Sequence, residues 1–386
     1  MAARAVGGAV VVAVVAVGVI VGVVVGAVAC ASHDGDTLDQ SRTVSVVASG
    51  ALQVGPGAWW RATGNDPWDV FVCTVPTGAT SPAFGGLALR LDLAPEEVAD
   101  VLNRHVSAYF ATISHGVYRP TFAAAGTVKI GIDDTPQACI DAALSDASQG
   151  ARGVLVVGDA EQPANQPGGF ATMGDECVLP PCLVEQSRRA VYVGASDFHP
   201  DWGRRPPMDL VEHELGHALG WPHSGYDERA EVPHESALDV MSNSAAPRAT
   251  APDRRDAPDT LAINRLAVGW LPVADVAMVT LPTSAAGTVV QLQPSTGPSG
   301  TRLAVVTLGA QTFLTIEWLP NTGFDDHLFS AGVAVHRVQG IGALRTQTPL
   351  VGEPPYAALL GVGDELDTNG LRIVVLDVGN VRVISS

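Results

Sequence analysis

Val211-Glu212-His213-Glu214-Leu215-Gly216-His217-Ala218-Leu219-Gly220-Trp221-Pro222-His223 is the stretch on which the reading of this chain turns. Its pattern is H-E-x-x-H-x-x-G-x-x-H. On an α-helix of 3.6 residues per turn, His213 and His217 share one face, one turn apart. Two imidazoles so placed can share one Zn²⁺ at about 2.0–2.1 Å per nitrogen. Glu214 is rotated by about 100° from His213, so it flanks such an ion without having to bind it. That is the place of a base acting on water at the metal.

His223 is the third histidine of the set. On a straight helix it would lie about 9 Å beyond His217, out of reach of the same ion. The helix must therefore end and the chain fold back. Gly220 stands where the bend is needed, and glycine accepts positive φ. Pro222 blocks helical continuation and biases Trp221 towards extended backbone. Three nitrogen ligands with one open position form a catalytic rather than a structural zinc arrangement. Histidine is scarce, 10 in 386 residues, so three at these offsets, with the glutamate and the glycine, are a specific signal. A gluzincin-like hydrolase would instead take a downstream glutamate, Glu228 or Glu235, as third ligand. The pairing of Gly220 with His223 argues against that.

The stretch resembles the metzincin metallopeptidases, whose extended signature adds a downstream methionine turn. Ser236-Ala237-Leu238-Asp239-Val240-Met241-Ser242 supplies such a turn. The resemblance implies that Met241 forms an apolar floor beneath the zinc. Some metzincins place a tyrosine ligand two residues after this methionine. Here that position is Asn243, and no tyrosine ligand is assigned. Asn264-Arg265-Leu266 followed by Gly269-Trp270-Leu271 looks like a run found after the turn in gametolysin-like and immune-inhibitor-like secreted metallopeptidases. Glu317 to Asp325 resembles the C-terminal part of those proteins. The resemblance spans about residues 87–272 and, outside the zinc motif, is loose. It implies an α+β fold with a metzincin-like catalytic domain, one catalytic Zn²⁺ and a polypeptide substrate.

The N-terminus has a different character. After Arg4, Ala5 to Ala29 contains only Ala, Val, Gly and Ile, a longer run than the about 20 apolar residues of a membrane span. It ends in Ala27-Val28-Ala29, a signal-cleavage pattern, and Ala27-Val28-Ala29-Cys30 resembles a lipoprotein box. A retained anchor, a cleaved signal and a lipid anchor on Cys30 all remain open, and all three export the remainder. Setting Cys30 aside leaves an even set of cysteines, as an oxidising compartment favours. Cys177 and Cys182 bracket a turn-like Val-Leu-Pro-Pro loop and are expected to pair. Cys73 then pairs with Cys139 by elimination.

The formal charge is −18, and Lys129 is the one lysine. With no basic cluster, nucleic acid is an unsuitable partner. Four regions are expected: an export or anchor segment (1–30), a tether or propeptide-like segment (31–84), a metallopeptidase domain (85–272) and a small β-sandwich-like domain (273–386). In 31–84, residues 44–54 and 69–75 read as short strands. From residue 86 the pattern alternates. Leu87 to Leu93 reads as a strand, and Pro95 with Glu96 and Glu97 opens a helix. Val117 to Ile132 reads as a strand or hairpin, Pro136 to Ala147 as a helix and Val154 to Val157 as a buried strand. Gly168 to Gly174 is an edge strand bordering the cleft or a surface loop. Asp259 is expected to cap a helix through Asn264 and Leu266. Beyond Val273, short alternating stretches separated by turns predict a β module. Asp364 to Gly370 does not place its acids at EF-hand positions and reads as a solvated turn.

The resulting expectation is an exported zinc metalloendopeptidase in which Glu214 acts as general base. The competing reading is a surface lipoprotein that binds zinc and cuts nothing, its β module holding a partner.

Overall fold

The structure is a computed structural model. It describes residues 62–76, 90–132, 134–160, 169–172, 189–195, 207–225, 236–246, 256–280, 286–309, 311–340, 346–353 and 356–386. Cys30, Cys177, Cys182, His199, Glu228, His234 and Glu235 lie outside these residues, as do the strand expected over 44–54 and the apolar run Ala5–Ala29. Among the described residues, no helix is long and apolar enough to cross a membrane.

The chain is a mixed α+β structure. Its first part runs β1 (Gly64–Thr74), α1 (Pro95–Arg104), α2 (Val106–Ile113), β2 (Tyr118–Lys129), α3 (Pro136–Asp146), β3 (Gly153–Gly158), β4 (Gly169–Thr172), β5 (Arg189–Val193), α4 (Asp209–Ala218) and α5 (Ala262–Ala267). The strands form one sheet in the order β2-β1-β3-β5-β4. All its pairings are parallel except that of β4 with β5, which puts an antiparallel strand at one edge.

Both faces of the inner strands are covered, as a parallel arrangement requires. Trp68, Val70 and Val72 of β1 face a core that includes Leu102 of α1, Phe110 of α2 and Val211 and Leu215 of α4. Phe71 and Cys73 face the opposite layer, where Cys139, Ile140 and Ala143 of α3 pack. A Cys73–Cys139 disulfide joins β1 to α3 through that layer.

β1 lies within the segment 31–84. It is an inner strand of the sheet, and Trp270 Nε1 donates to Ala62 O at 2.7 Å, closing the unit at both ends. The strand expected over 69–75 extends back through Pro67 and Asp66 to Gly64. Asp66 is buried because it accepts from Trp68 Nε1, Tyr118 Oη on β2 and Arg189 Nη2 on β5. A carboxylate in a sheet interior is tolerated when its lone pairs are filled in this way. Of the strand expected over 87–93, Leu91 to Leu93 form no strand and Arg90 makes an isolated bridge to Ala160, while 87–89 lie outside the described residues.

The second part is all β: β6 (Val276–Val279), β7 (Thr288–Gln291), β8 (Leu303–Gly309), β9 (Thr312–Leu319), β10 (Gly332–Gln339), β11 (Thr346–Pro349), β12 (Gly352–Glu353), β13 (Tyr356–Ala357), β14 (Glu365–Thr368), β15 (Leu371–Asp377) and β16 (Asn380–Ser385). The sheets β11-β10-β9-β8-β6 and β14-β15-β16-β7 enclose one core between them. The outer face of the first sheet also packs. Phe313, Val338, Leu303 and Val305 bury Leu261, Ala262, Ile263 and Leu266 of the α5 region.

α5 is not capped by Asp259. Its N-cap position is Leu261, without a side-chain cap, and the Ala262 N–H donates to Glu317 Oε2 on β9 at 2.9 Å. The cap expected from a local residue is supplied from another strand. Asp259 instead accepts from Thr260 N and Arg265 Nη2.

The same sheet face buries two titratable groups. Burial pushes the Glu317 carboxyl up to about 7 from 4.5, partly offset by the Ala262 hydrogen bond. Burial pushes His336 on β10 down to about 4 from 6.5. Glu317 therefore contributes stability present below pH 4.5 and lost as pH rises through 7. His336 contributes stability present above pH 6.5 and lost as pH falls through 4. Measured by urea unfolding in chelator, Glu317→Gln should gain on the parent by about 3 kcal/mol between pH 4.5 and 7. His336→Leu should gain as pH falls from 6.5 to 4. Parallel profiles for parent and variants would contradict these assignments.

Candidate metal centre

The centre is built on the end of α4. His213 and His217 lie one turn apart on it. The helix stops at Leu219 in a two-bond terminus: Gly220 N donates to His217 O at 2.8 Å and Trp221 N to Gly216 O at 3.0 Å. This Schellman arrangement needs a left-handed residue after the cap, and Gly220 has φ +82°. The chain then reverses and returns His223 to the face of the helix it has just left.

The ring nitrogens converge. His223 Nε2 lies 3.2 Å from His213 Nε2 and 2.8 Å from His217 Nε2. The other nitrogens of the helical pair are committed. His213 Nδ1 is 2.7 Å from Val240 O, and His217 Nδ1 is 2.8 Å from Trp221 O. A carbonyl can only accept, so each Nδ1 carries the proton and each Nε2 presents its lone pair inward.

Lone pairs crowded together in this way repel unless a proton or a cation sits among them. Nitrogens sharing a tetrahedral zinc ion at about 2.0–2.1 Å stand about 3.3–3.4 Å apart. One pair here is near that spacing and the other is tighter. Three imidazoles, two of them oriented from behind by carbonyls, are a donor set that fits zinc. Glu214 lies beside His213 on the helix, 5% exposed.

The turn expected to hold Met241 lies under this face. Met241 is fully buried, and a Cβ added at Gly216 would meet its sulfur and, at 2.9 Å, Trp221 Cε3. Gly216 is thus glycine because both side chains lie against the helix between His213 and His217. The turn also works through its backbone. Val240 O orients His213, and Met241 O accepts from Ser224 N at 3.0 Å, one residue past His223.

Asp239 lies within this turn. Its buried carboxylate accepts from Ser224 Oγ, from Thr260 Oγ1 at 3.1 Å and from Asn264 Nδ2 at 3.3 Å. Burial raises its carboxyl to about 6, opposed by the hydrogen bonds from Ser224, the Met241 backbone and Thr260. Ser224 directly follows the motif, Asp239 lies in the quoted turn and Asn264 begins the quoted Asn-Arg-Leu run. Their signals were present, but nothing linked them before folding.

No family model matches the chain, and no curated protein matches it. One solved structure, "Structure of a chaperone-substrate complex", is similar at a TM-score of 0.24 and 14% identity. The likeness covers 53% of this chain and 34% of that chain, so it spans about a third of that chain's length. It carries no argument about fold or function.

Gly216→Ala must displace Met241 or Trp221 and should destabilise the protein by about 1–3 kcal/mol in urea unfolding. Gly220→Ala, which adds a Cβ at positive φ, should cost about 1–2 kcal/mol. Stability equal to the parent in both variants would contradict the described packing of turn and helix.

Proposed function

We propose that this protein is an exported zinc metalloendopeptidase of the metzincin type. The observation that carries the reading is the meeting of His213, His217 and His223 around one point, within 4.8 Å of one another. Glu214 follows His213 on the same helix, and Met241 packs against Gly216 of that helix. A binding site alone would need the three imidazoles but not the carboxylate beside them.

His213, His217 and His223 would hold a zinc ion, which when bound would supply Lewis acidity. The remaining steps belong to the chain. Val240 O and Trp221 O keep Nδ1 of His213 and His217 protonated, which holds each Nε2 as a ligand. A Glu214 carboxylate oxygen takes the proton of the attacking water and gives it to the leaving amine.

The polypeptide substrate would lie along β4. That strand ends the sheet order, and α4 packs against both β4 and β5. An extended peptide can add to a sheet edge through main-chain hydrogen bonds. Export is supported by the Ala5–Ala29 run and by the Cys73–Cys139 disulfide, which suits an oxidising compartment. A retained anchor, a cleaved signal or lipidation at Cys30 would each serve that export.

Glu214→Gln keeps size and helix propensity but removes the base. Zinc per chain should stay at one, while cleavage of a diverse peptide pool should fall by about 10²–10⁴-fold. The loss should lie in kcat more than in KM. Cleavage by Glu214→Gln at the parental rate would sink the mechanism. A parent that holds zinc and cuts no peptide would favour the zinc-binding surface protein.

A further inference from the structure

The segment that carries His223 is held from the second part of the chain. Ser224 makes a parallel bridge to Gln347 on β11, and Gly225 N donates to Gln347 O at 3.0 Å. A side-chain route runs beside this backbone route. Gln347 Nε2 donates to Asn264 Oδ1 at 2.8 Å. Asn264 Nδ2 reaches Asp239 Oδ2 and, at 3.0 Å, Thr260 Oγ1. Asp239 accepts from Ser224 Oγ. Gln347, Asn264, Asp239 and Ser224 are each no more than 1% exposed.

The direction of this chain follows from its chemistry. An ionised Asp239 only accepts, so the Asn264 amide must turn its NH₂ towards it. That leaves Asn264 Oδ1 facing Gln347, which must then present its own NH₂. Reversal of one amide would set oxygen against oxygen in a buried space. The same face of the β part also grips the methionine turn. Leu238 packs with Leu319 and Ala334, and His327 Nε2 lies 2.8 Å from Ala237 O.

We propose that the C-terminal β domain is a working part of the metal centre, and that Gln347 is a positioning residue that sets His223 through Asn264, Asp239 and Ser224. This rests on the zinc reading above. The β domain then does more than accompany the metallopeptidase unit: the third ligand takes its place only when β11 is docked.

The test uses the full exported chain carrying Gln347→Glu, Gln347→Ala, Ser224→Ala or Ser224→Ala with Gln347→Ala. Gln347→Glu is isosteric and replaces the donor with an acceptor. Gln347→Ala keeps the main-chain bond and adds no charge, so it serves if the glutamate variant does not fold. Three quantities are read: zinc affinity by chelator competition, the visible spectrum of the Co²⁺-loaded protein and the melting temperature of the metal-free form.

Each Gln347 variant should bind zinc about tenfold more weakly, as loss of an outer partner of a metal ligand typically does. Its Co²⁺ bands should shift. The double variant should lose less than the product of the two single losses, because both act through one chain of contacts. A lowered melting temperature with parental zinc affinity and Co²⁺ spectrum would overturn the proposal. A control separates the two claims. If His223→Ala binds zinc as tightly as the parent, the metal assignment itself falls. If His223→Ala binds weakly and the Gln347 variants bind normally, only the positioning role falls.

Discussion

The structure depends on the return of one short segment. A helix can place two imidazoles side by side, but it cannot supply a third at the same point, because each further turn moves about 5.4 Å along the axis. The chain meets this limit by stopping α4 at Gly220, where φ is +82°, and reversing within three residues to His223. Several neighbouring choices follow. Trp221 folds back over Gly216, which must lack a side chain, and its carbonyl orients His217. Met241 fills the rest of that space, and the residue before it orients His213. The same few residues build the bend, the packing against Gly216 and the tautomers.

The two halves of the chain are joined by more than a linker. The outer face of the β11-β10-β9-β8-β6 sheet buries the hydrophobic side of the α5 region, and Glu317 takes the first N–H of that helix. Asp325 accepts from Asp259 N at 3.1 Å on the same side. A helix of six residues has little stability of its own. α5 is therefore helical because two cores meet on it. That makes α5 a natural relay, with Asn264 between the β domain and the methionine turn.

Local chemistry made much of this legible in the sequence. Pro95 with Glu96 and Glu97 marks a helix start, and α1 begins there. Alternation identified the strands of the second part, and periodicity with Gly220 and Pro222 placed the end of α4. What escaped was set by distant partners. The strand expected over 69–75 reaches back to Gly64 because Asp66, which looks unfit for a sheet interior, is satisfied by Tyr118 and Arg189. Asp259 has the composition of a helix cap, but Arg265 engages it and Glu317 takes the capping role. Gln347 carries no local signal, since its importance comes from residues more than eighty positions away. The meeting of the three histidines was legible because one short stretch contains both the imidazoles and the bend that unites them.

The central claim is that His213, His217 and His223 bind one zinc ion together. X-ray absorption at the zinc edge of the stoichiometrically loaded, full exported chain tests it most directly. The account predicts three imidazole nitrogens at about 2.0–2.1 Å with one further light ligand and no sulfur. A first shell with two imidazoles, one containing sulfur, or a chain that takes up no zinc would contradict it.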